Sequence, residues 1–326
     1  MRRREFITLL GGAATIWPLV SRAQEAEKLS VGYISSRSEQ PDTPFVAAFR
    51  RGLAESGELG KSAAIEFRWA ENYSDRLDGL AADLIKLKPT VILAGGGAGT
   101  ALVVKKLTSS IPIVFVNGAD PVKVGLVHSI GRPEGNVTGV SFLATLIVAK
   151  RLEFLLSFVP KAKTIAILVN PKNPDFTTMM GDVEAAEHSL KIATQTYNAS
   201  SEDEIDKAFS QMAREHPDAL LIGGDSFFNG MRRKLIALSL RYALPSIFDL
   251  REFATEGGLM SYGTSQTEAY QQAGTYVGRI LGGIKPADLP VIQSTRFELV
   301  INRTTAKALG LEIPDKLVAL ADEVIK

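Results

Sequence analysis

The chain has 326 residues, of which 45% are hydrophobic and 22% charged, an ordinary balance for one large or two medium globular domains. Its formal net charge is +1. Residues 1–23 hold four arginines against one glutamate, a net +3, which leaves 1 − 3 = −2 for residues 24–326. A near-neutral surface gives no support for nucleic-acid binding. There is no cysteine for disulfides or lipid attachment.

The first 23 residues have the organisation of an export signal. Arg2, Arg3 and Arg4 precede an apolar stretch at 6–20, and small residues at 21 and 23 mark a cleavage site after Ala23. The stretch is too short for a permanent membrane helix, and Arg3-Arg4-Glu5-Phe6-Ile7 resembles the twin-arginine motif. We predict a cleaved twin-arginine signal peptide and a soluble periplasmic protein without a lipid anchor. An uncleaved interfacial anchor is the alternative.

Short apolar runs alternate with longer amphipathic ones from residue 29 onward. The pattern predicts strands at 29–34, 65–69, 91–94 and 113–116, and helices at 43–56, 75–87 and 98–108. Thr43 and Pro44 are residue types that favour the N-cap and first position of a helix. This alternation is typical of a parallel sheet that helices cover on both faces.

The same rhythm repeats in the second half of the chain. Strands are predicted at 164–169, 192–197, 219–222, 246–248 and 296–301, and helices at 145–158, 175–190, 202–214, 228–242, 267–281, 304–309 and 315–325. Glycine-rich segments at 139–143, 257–263 and 282–290 join the halves, with Gly139, Gly263 and Gly282–Gly283 as pivots. We predict an α/β clamshell with three hinge crossings: lobe I at 29–140 plus 263–283, lobe II at 141–262 plus 291–326.

Candidate ligand contacts follow from the position of the loops. In open α/β sheets, ligands bind beyond the carboxyl ends of the strands, and the two lobes bring six such loops around one cleft. The residues selected in this way, with polar or aromatic groups at the hinges, are Ser35, Arg37, Gly96, Gly97, Thr100, Asn117, Asp120, Phe142, Asn170, Asp225, Phe227, Asp249 and Ser261.

Each candidate has a structural alternative. The turn at 95–100 leads into a helix whose N-terminus favours a carboxylate, although a tight turn that binds nothing fits equally. Arg37 suits a carboxylate by bidentate pairing or is a solvated surface residue. Asp225 and Asp249 suit an ammonium group or are helix N-caps. The aromatic candidates are rigid cleft walls or core residues.

Signals for catalysis and cofactors are weak. His128, His188 and His216 are the histidines of the chain, and they are scattered along it without cysteine or a His-x-x-x-His pair. The turn at 95–100 lacks the third glycine of a dinucleotide fingerprint and the Gly-Lys-Ser/Thr of a P-loop. No Gly-x-Ser-x-Gly elbow occurs. We therefore predict no cofactor, no metal and no enzymatic activity.

Several segments resemble one family over nearly the whole chain after the leader. They are Ile65-Glu-Phe-Arg-Trp-Ala-Glu71, the helix at 75–84, Ile111-Pro-Ile-Val-Phe115, Asp120-Pro121, Gly131-Arg-Pro-Glu-Gly-Asn-Val-Thr-Gly139, Asn170-Pro171 and Thr305-Ala-Lys-Ala-Leu-Gly-Leu311. The family is the ABC-transporter substrate-binding proteins with tryptophan- and tyrosine-binding members. The resemblance implies a type I periplasmic binding fold, each lobe a mostly parallel sheet flanked by helices.

The resemblance also implies a function. We expect the periplasmic component of an ABC importer, a monomer that captures an aromatic or other amino acid, or a small carboxylate, and presents it to an inner-membrane permease. A ligand sensor that signals to a membrane receptor is the alternative, and a periplasmic α/β enzyme is a weaker one. A clamshell repressor would need a helix-turn-helix where the leader lies.

Overall fold

The structure is a computed structural model that describes residues 29–142, 147–294 and 296–326. The predicted signal peptide at 1–23 and the start of the helix predicted at 145 lie outside the described residues. Within those three segments, no helix has the length and apolar character needed to cross a bilayer.

The strands are short and mostly buried. In chain order they are β1 (Ser30–Ser35), β2 (Ala64–Trp69), β3 (Val91–Gly95), β4 (Ile113–Asn117), β5 (Val137–Ser141), β6 (Thr164–Val169), β7 (Ala193–Asn198), β8 (Ala219–Ile222), β9 (Ser246–Phe248), β10 (Met260–Thr264), β11 (Ile292–Gln293), β12 (Phe297–Asn302) and β13 (Glu323–Ile325). All five residues of β3, of β4 and of β5 are buried, as expected for central strands covered on both faces.

Helices connect most of the strands. They are α1 (Glu39–Glu55), α2 (Glu58–Ser62), α3 (Leu77–Lys86), α4 (Ala98–Leu107), α5 (Val148–Phe158), α6 (Phe176–Leu190), α7 (Glu202–Glu215), α8 (Ser226–Gly230), α9 (Arg232–Arg241), α10 (Arg251–Thr255), α11 (Gln266–Leu281), α12 (Arg303–Ala308) and α13 (Asp315–Leu320). Single 3₁₀ turns occur at Ser74–Arg76 and Pro286–Asp288.

Two sheets define two lobes. Lobe I has the strand order β11-β5-β4-β3-β1-β2, all parallel, and lobe II has the order β13-β12-β10-β9-β8-β6-β7, in which only the β10–β12 pair is antiparallel among the described strands. The long helix α11 follows β10 of lobe II but packs on α1 and on the sheet of lobe I. The predicted α/β fold of two mostly parallel sheets flanked by helices is confirmed.

The chain passes between the lobes after β5, after β10 and after β11. The hydroxyl of Thr264 at the end of β10 donates to the Phe142 carbonyl at 3.0 Å, which ties two of these passages together. The third passage follows β11, before β12, and does not lie at Gly282–Gly283 as the sequence indicated. Ile292 pairs with Val140 in lobe I, so the predicted lobe II boundary at 291 cuts off one short strand of lobe I.

The glycines expected as pivots also allow neighbouring strands to approach closely. A Cβ atom at Gly139 would lie 2.2 Å from the Phe115 carbonyl, and one at Gly263 would lie 1.8 Å from the Asp249 carbonyl. Both glycines sit inside strands, so they permit close packing between neighbouring strands. The segments at 139–143 and 257–263, interpreted as junctions, therefore contain most of β5 and β10.

Two predicted elements differ at their ends. Helix α1 begins at Glu39, not at Thr43, and includes Pro41 and Pro44. Proline is tolerated in the first turn, where N–H groups have no intrahelical acceptor, and Pro44 costs one hydrogen bond beyond it. The helix predicted at 315–325 ends at Leu320, because Glu323–Ile325 pairs with β12 as an edge strand.

Candidate ligand-binding site

A cleft lies where the carboxyl ends of both sheets face each other. It encloses a cavity of about 180 Å³. Lobe I contributes the segments after β1, β2, β3 and β4, lobe II contributes those after β6, β8 and β9, and Gln266 and Tyr270 come from α11. The position agrees with the rule that ligands of open α/β sheets lie beyond the strand ends.

The glycine-rich turn after β3 forms part of the lobe I wall. Gly96 has φ +76° and Gly97 has φ +111°, and a Cβ at Gly96 would lie 2.7 Å from the Ser36 amide nitrogen. Glycine is therefore required at 96 for the close approach of two loops. Gly97 is the N-cap of α4 and offers no side-chain cap, so N–H groups of the first turn face the cleft. Such a terminus favours a negatively charged group.

Arg37 is buried in the same wall rather than solvated. Its Nε donates to Asp42 Oδ1, its Nη2 donates to the Tyr270 hydroxyl at 2.7 Å, and its guanidinium lies over the ring of Phe45 at 4.9 Å. The Tyr270 hydroxyl also accepts from the Gly96 N–H at 3.0 Å. The charge of Arg37 is thus already paired within lobe I, and the network fixes the turn after β3 to helix α11.

Asp225 in lobe II is an N-cap and is fully engaged. Its Oδ1 accepts from the N–H groups of Phe227 and Phe228 and from Asn170 Nδ2 at 3.1 Å, and its Oδ2 accepts from Asn173 Nδ2 at 2.8 Å. Burial raises the pKa of the carboxyl, and these donors lower it in part. The N-cap alternative holds, and Asp225 mainly organises α8 at the cavity wall.

Asp249 is the less engaged carboxylate. Its Oδ2 accepts from Asn229 Nδ2 at 3.5 Å, whereas its Oδ1 is buried without a partner in the described protein. Burial raises the pKa of Asp249 to about 6, although the buried Arg151 nearby and the Asn229 amide lower it. Arg151 in turn donates from Nε to the Tyr262 carbonyl of β10 at 2.7 Å.

Several cavity-lining residues share one property, a buried oxygen atom that finds no hydrogen-bond partner among the described residues. These atoms are Asn72 Oδ1, Thr100 Oγ1, Asn229 Oδ1, Asp249 Oδ1 and Gln266 Oε1. An unpaired buried polar atom costs roughly 1–3 kcal/mol. Native structures keep few of them, so five in one cavity indicate atoms that pair with a bound molecule.

Most of the predicted site residues line the cavity. Those that do are Arg37, Gly96, Gly97, Thr100, Phe142, Asn170, Asp225, Phe227 and Asp249. Ser35, Asn117, Asp120 and Ser261 do not. Ser35 Oγ accepts from the Arg37 N–H at 3.2 Å, and Asp120 Oδ1 accepts from the N–H groups of Val122 and Lys123, so both shape their loops.

Asn117 and Ser261 lie just behind the wall. Asn117 is wholly buried at the end of β4, between the cavity-lining Val116 and the Gly118 loop, and neither amide atom has a partner in the described chain. Ser261 is in the middle of β10 and is 1% exposed. Asn117 ends β4 and Ser261 lies within the hinge strand β10, and both side chains are buried in the protein.

Sequence reasoning missed Asn72, Asn229, Gln266 and Tyr270. Gln266 follows the carboxyl end of β10 by two residues, so the strand-end rule applied to the hinge strand would have found it. Asn229 lies four residues after Asp225, on the same face of α8. Tyr270 has no such signal, because its role depends on how α11 packs on lobe I. No group of three His, Asp or Glu suited to a metal ion occurs in the described segments.

A family model described as ABC transporter substrate binding protein matches residues 43–325. The chain belongs to this family. The resemblance found in the sequence is confirmed, and members of this family are substrate-binding proteins rather than enzymes, which also confirms the prediction that the chain is not an enzyme.

The proteins that this chain resembles include one curated relative and two solved structures. A "Tyrosine-binding protein" from Clostridioides difficile is 26% identical over 267 residues, which cover 81% of this chain and 76% of that protein. The solved ABC domain from Streptococcus pneumoniae in complex with L-Trp is 23% identical, with a TM-score of 0.80 over 90% of this chain and 100% of that one. The leucine binding protein of Thermotoga maritima is 13% identical, with a TM-score of 0.53 over 76% of this chain and 80% of that one.

Proposed function

We propose that the chain is the periplasmic solute-binding component of an ABC importer and that it captures a free L-amino acid with an aromatic side chain between its lobes. The observation that carries this proposal is the set of unpartnered buried oxygens in the cavity. Asp249, Asn229 and Gln266 each present one acceptor oxygen. A primary ammonium group has three N–H donors and one positive charge, which matches two amide oxygens and one carboxylate.

Asp249 and Asn229 belong to lobe II, whereas Gln266 begins α11, which packs on lobe I, and lobe I also offers the complementary chemistry. The uncapped N-terminus of α4 favours a carboxylate, and the Thr100 hydroxyl beside it is 1% exposed and unpaired in the described protein. Since Arg37 is already paired with Asp42, the α-carboxylate would rest on this terminus and not on the arginine. A zwitterion therefore satisfies both lobes at once and favours their closure.

Apolar groups supply the remaining walls. Phe142 and Phe227 line the cavity together with Leu77 and Val116. The cavity volume of about 180 Å³ is below the range of about 300–1,000 Å³ that is typical of drug-sized ligands, which favours a single small metabolite. The tyrosine-binding relative and the L-Trp complex support an aromatic side chain.

Calorimetry and thermal unfolding of the purified chain test the ligand. We expect L-tyrosine or L-tryptophan to bind and to raise the melting temperature, since a ligand at 100 times its Kd adds about 2.7 kcal/mol. Tryptamine lacks the carboxylate and indole-3-propionate lacks the ammonium group, so each should bind at least about 100-fold more weakly than L-tryptophan. Equal binding of either analogue, or stabilisation by none of the amino acids, would contradict the proposal.

Export and delivery form the second part of the proposal, and they rest on the leader sequence and the family. Replacing Arg3 and Arg4 with lysine should keep the chain in the cytoplasmic fraction, because the twin-arginine pair is the export signal. Cells that lack the chain should lose uptake of the labelled amino acid. Periplasmic recovery of the doubly substituted chain, or unchanged uptake, would refute this part.

A further inference from the structure

The lobes contact each other at the edge of the cavity, at a small patch of α8 and α9. A Cβ at Gly230 of lobe II would lie 2.0 Å from Asn72 Oδ1 of lobe I, and one at Gly97 of lobe I would lie 3.3 Å from Ser226 Oγ of lobe II. Neither Gly230 nor Arg232 lines the cavity. Asn72, Gly97 and Ser226 do line it, so the patch borders the cavity, and Gly230 and Arg232 are its members outside the ligand site.

Arg232 provides the polar bond across this interface. Its Nη1 donates to the carbonyl of Pro41 in α1 of lobe I at 3.3 Å, and its Nε donates to Glu256 Oε1 of lobe II at 2.6 Å. The side chain is 5% exposed. The Glu256 bond orients the guanidinium from its own lobe, and Nη1 is shared between the Pro41 carbonyl of lobe I and the Asn229 carbonyl of lobe II, the latter at 3.4 Å. A lysine has no such fork and would not make both bonds.

The surrounding charges are complementary across the same interface. Glu252 of lobe II lies near Arg232 of its own lobe and Arg37 of lobe I, and both arginines lower its pKa against the effect of burial, which raises it. On the lobe I side, Arg37 is paired with Asp42. Opposite charges from the two lobes thus alternate next to the Arg232–Pro41 bond.

We propose that Gly230 and Arg232 form a latch that stabilises the closed lobes without touching the ligand and so sets how long the ligand stays bound. Gly230 allows the approach, because any larger side chain would require the Asn72 amide group to move. Arg232 then bonds to Pro41. The latch deepens the proposed function, since a contact made only in the closed form lowers the ligand dissociation rate.

Two substitutions remove the latch, and two matched controls do not. Gly230→Ala displaces the Asn72 amide group from this contact, although the backbone at 230 is not in the left-handed region and alanine suits α8. Arg232→Gln removes the bond to Pro41. Gly181→Ala, where a Cβ meets nothing within 4 Å, controls for the added methyl. Arg233→Gln controls for the lost charge, because Arg233 also pairs with Glu256 but is 70% exposed.

Single-molecule energy transfer between the lobes gives the readout. The chain has no cysteine, so Lys106→Cys on α4 and Glu184→Cys on α6, both exposed, place one dye on each lobe. We expect Arg232→Gln to raise the Kd for L-tryptophan about tenfold through a faster dissociation rate, and Gly230→Ala to raise it by less, because the Asn72 side chain can shift. Both controls should stay within about twofold of the unsubstituted chain.

The closed fraction without ligand separates failure of the latch from failure of the proposed function. If no amino acid binds, the amino-acid proposal fails, but the latch still predicts fewer closed molecules in both variants than in both controls. Equal closed fractions in variants and controls would overturn the latch. A chain that never closes would also overturn it, since the contacts would then not form in solution. Unchanged melting temperatures show that the variants are folded.

Discussion

Asp249→Asn is expected to change stability and ligand affinity in opposite directions. The carboxylate is 3% exposed, and one of its oxygens has no partner within the described chain. Such a group destabilises the unliganded protein when it is ionised. We infer that the protein keeps the Asp249 carboxylate because an ammonium group of the ligand pairs with it.

The magnitude follows from the pKa of Asp249, which burial raises from 3.8 to about 6. The difference of about 2 pKa units corresponds to roughly 3 kcal/mol between the ionised and protonated forms. Because the folded state holds the proton more tightly than the unfolded state, stability falls as pH rises from about 4 to 6 and is then level. The attraction to Arg151 is already included, since Arg151 lowers this pKa.

The asparagine variant resembles the protonated side chain at every pH. At pH 7.5 we therefore expect its unliganded form to unfold with a free energy up to about 3 kcal/mol higher, measured by urea denaturation. Its Kd for L-tryptophan should rise at least tenfold, because a hydrogen bond to a charged group contributes about 1.5–3 kcal/mol. Asp120→Asn, outside the cavity wall, should change neither quantity.

Two results would refute this reasoning. A destabilised asparagine variant would mean that Arg151 depends on the Asp249 charge more than burial opposes it. Unchanged affinity would mean that the ammonium group, if there is one, binds elsewhere. A variant that is both more stable and weaker in binding is expected only if Asp249 carries an uncompensated charge for the ligand.

Further predictions concern the same cavity. Affinity for L-tryptophan should fall about tenfold between pH 7.5 and 5, because only about one tenth of a group with pKa about 6 is ionised at pH 5; calorimetry should show no such loss in Asp249→Asn. Thr100→Val should raise the Kd about tenfold without lowering the melting temperature, since its hydroxyl is unpaired in the described chain. Tyr270→Phe should lower the free energy of unfolding by about 1–3 kcal/mol, as urea titration would show, because Arg37 and the Gly96 N–H lose an acceptor. A flat pH profile would contradict the first prediction, an unchanged Kd for Thr100→Val the second, and an unchanged stability of Tyr270→Phe the third.

Much of the fold follows from local patterns. The strands at 219–222 and 246–248 coincide with their predictions, since short apolar runs bounded by polar residues are clear signals. Short paired elements did not follow: Ile292–Gln293 is two residues long, and Glu323–Ile325 is a strand only because β12 lies beside it. Pairing between distant segments decides such cases, and local pattern does not contain it.

The candidate site also has features that the sequence predicts and features that it does not. Position at a strand end is a property of the chain order, so Thr100, Asp225 and Asp249 were found. The hydrogen bonding of each side chain does not follow from chain order. The sequence predicted both aspartates as equal partners for an ammonium group, whereas Asp225 accepts hydrogen bonds from four donors and Asp249 accepts one long bond. The sequence did not predict Tyr270 as a site residue, because its hydrogen bond with Gly96 joins residues 174 positions apart in the chain.

The unpaired oxygens and the latch both change the equilibrium between open and closed lobes, but by different amounts. Closure without ligand buries Thr100, Asn229, Asp249 and Gln266 with unpaired atoms, a cost of roughly 1–3 kcal/mol each. The Arg232–Pro41 bond offsets roughly 1.5–3 kcal/mol, so it cannot hold the lobes closed alone. Once a ligand pairs with those oxygens, the cost disappears while the latch remains. The latch therefore stabilises the closed form by the same amount with and without ligand. Because ligand removes the opposing cost, Arg232 contributes to retention and the cavity oxygens contribute to selection.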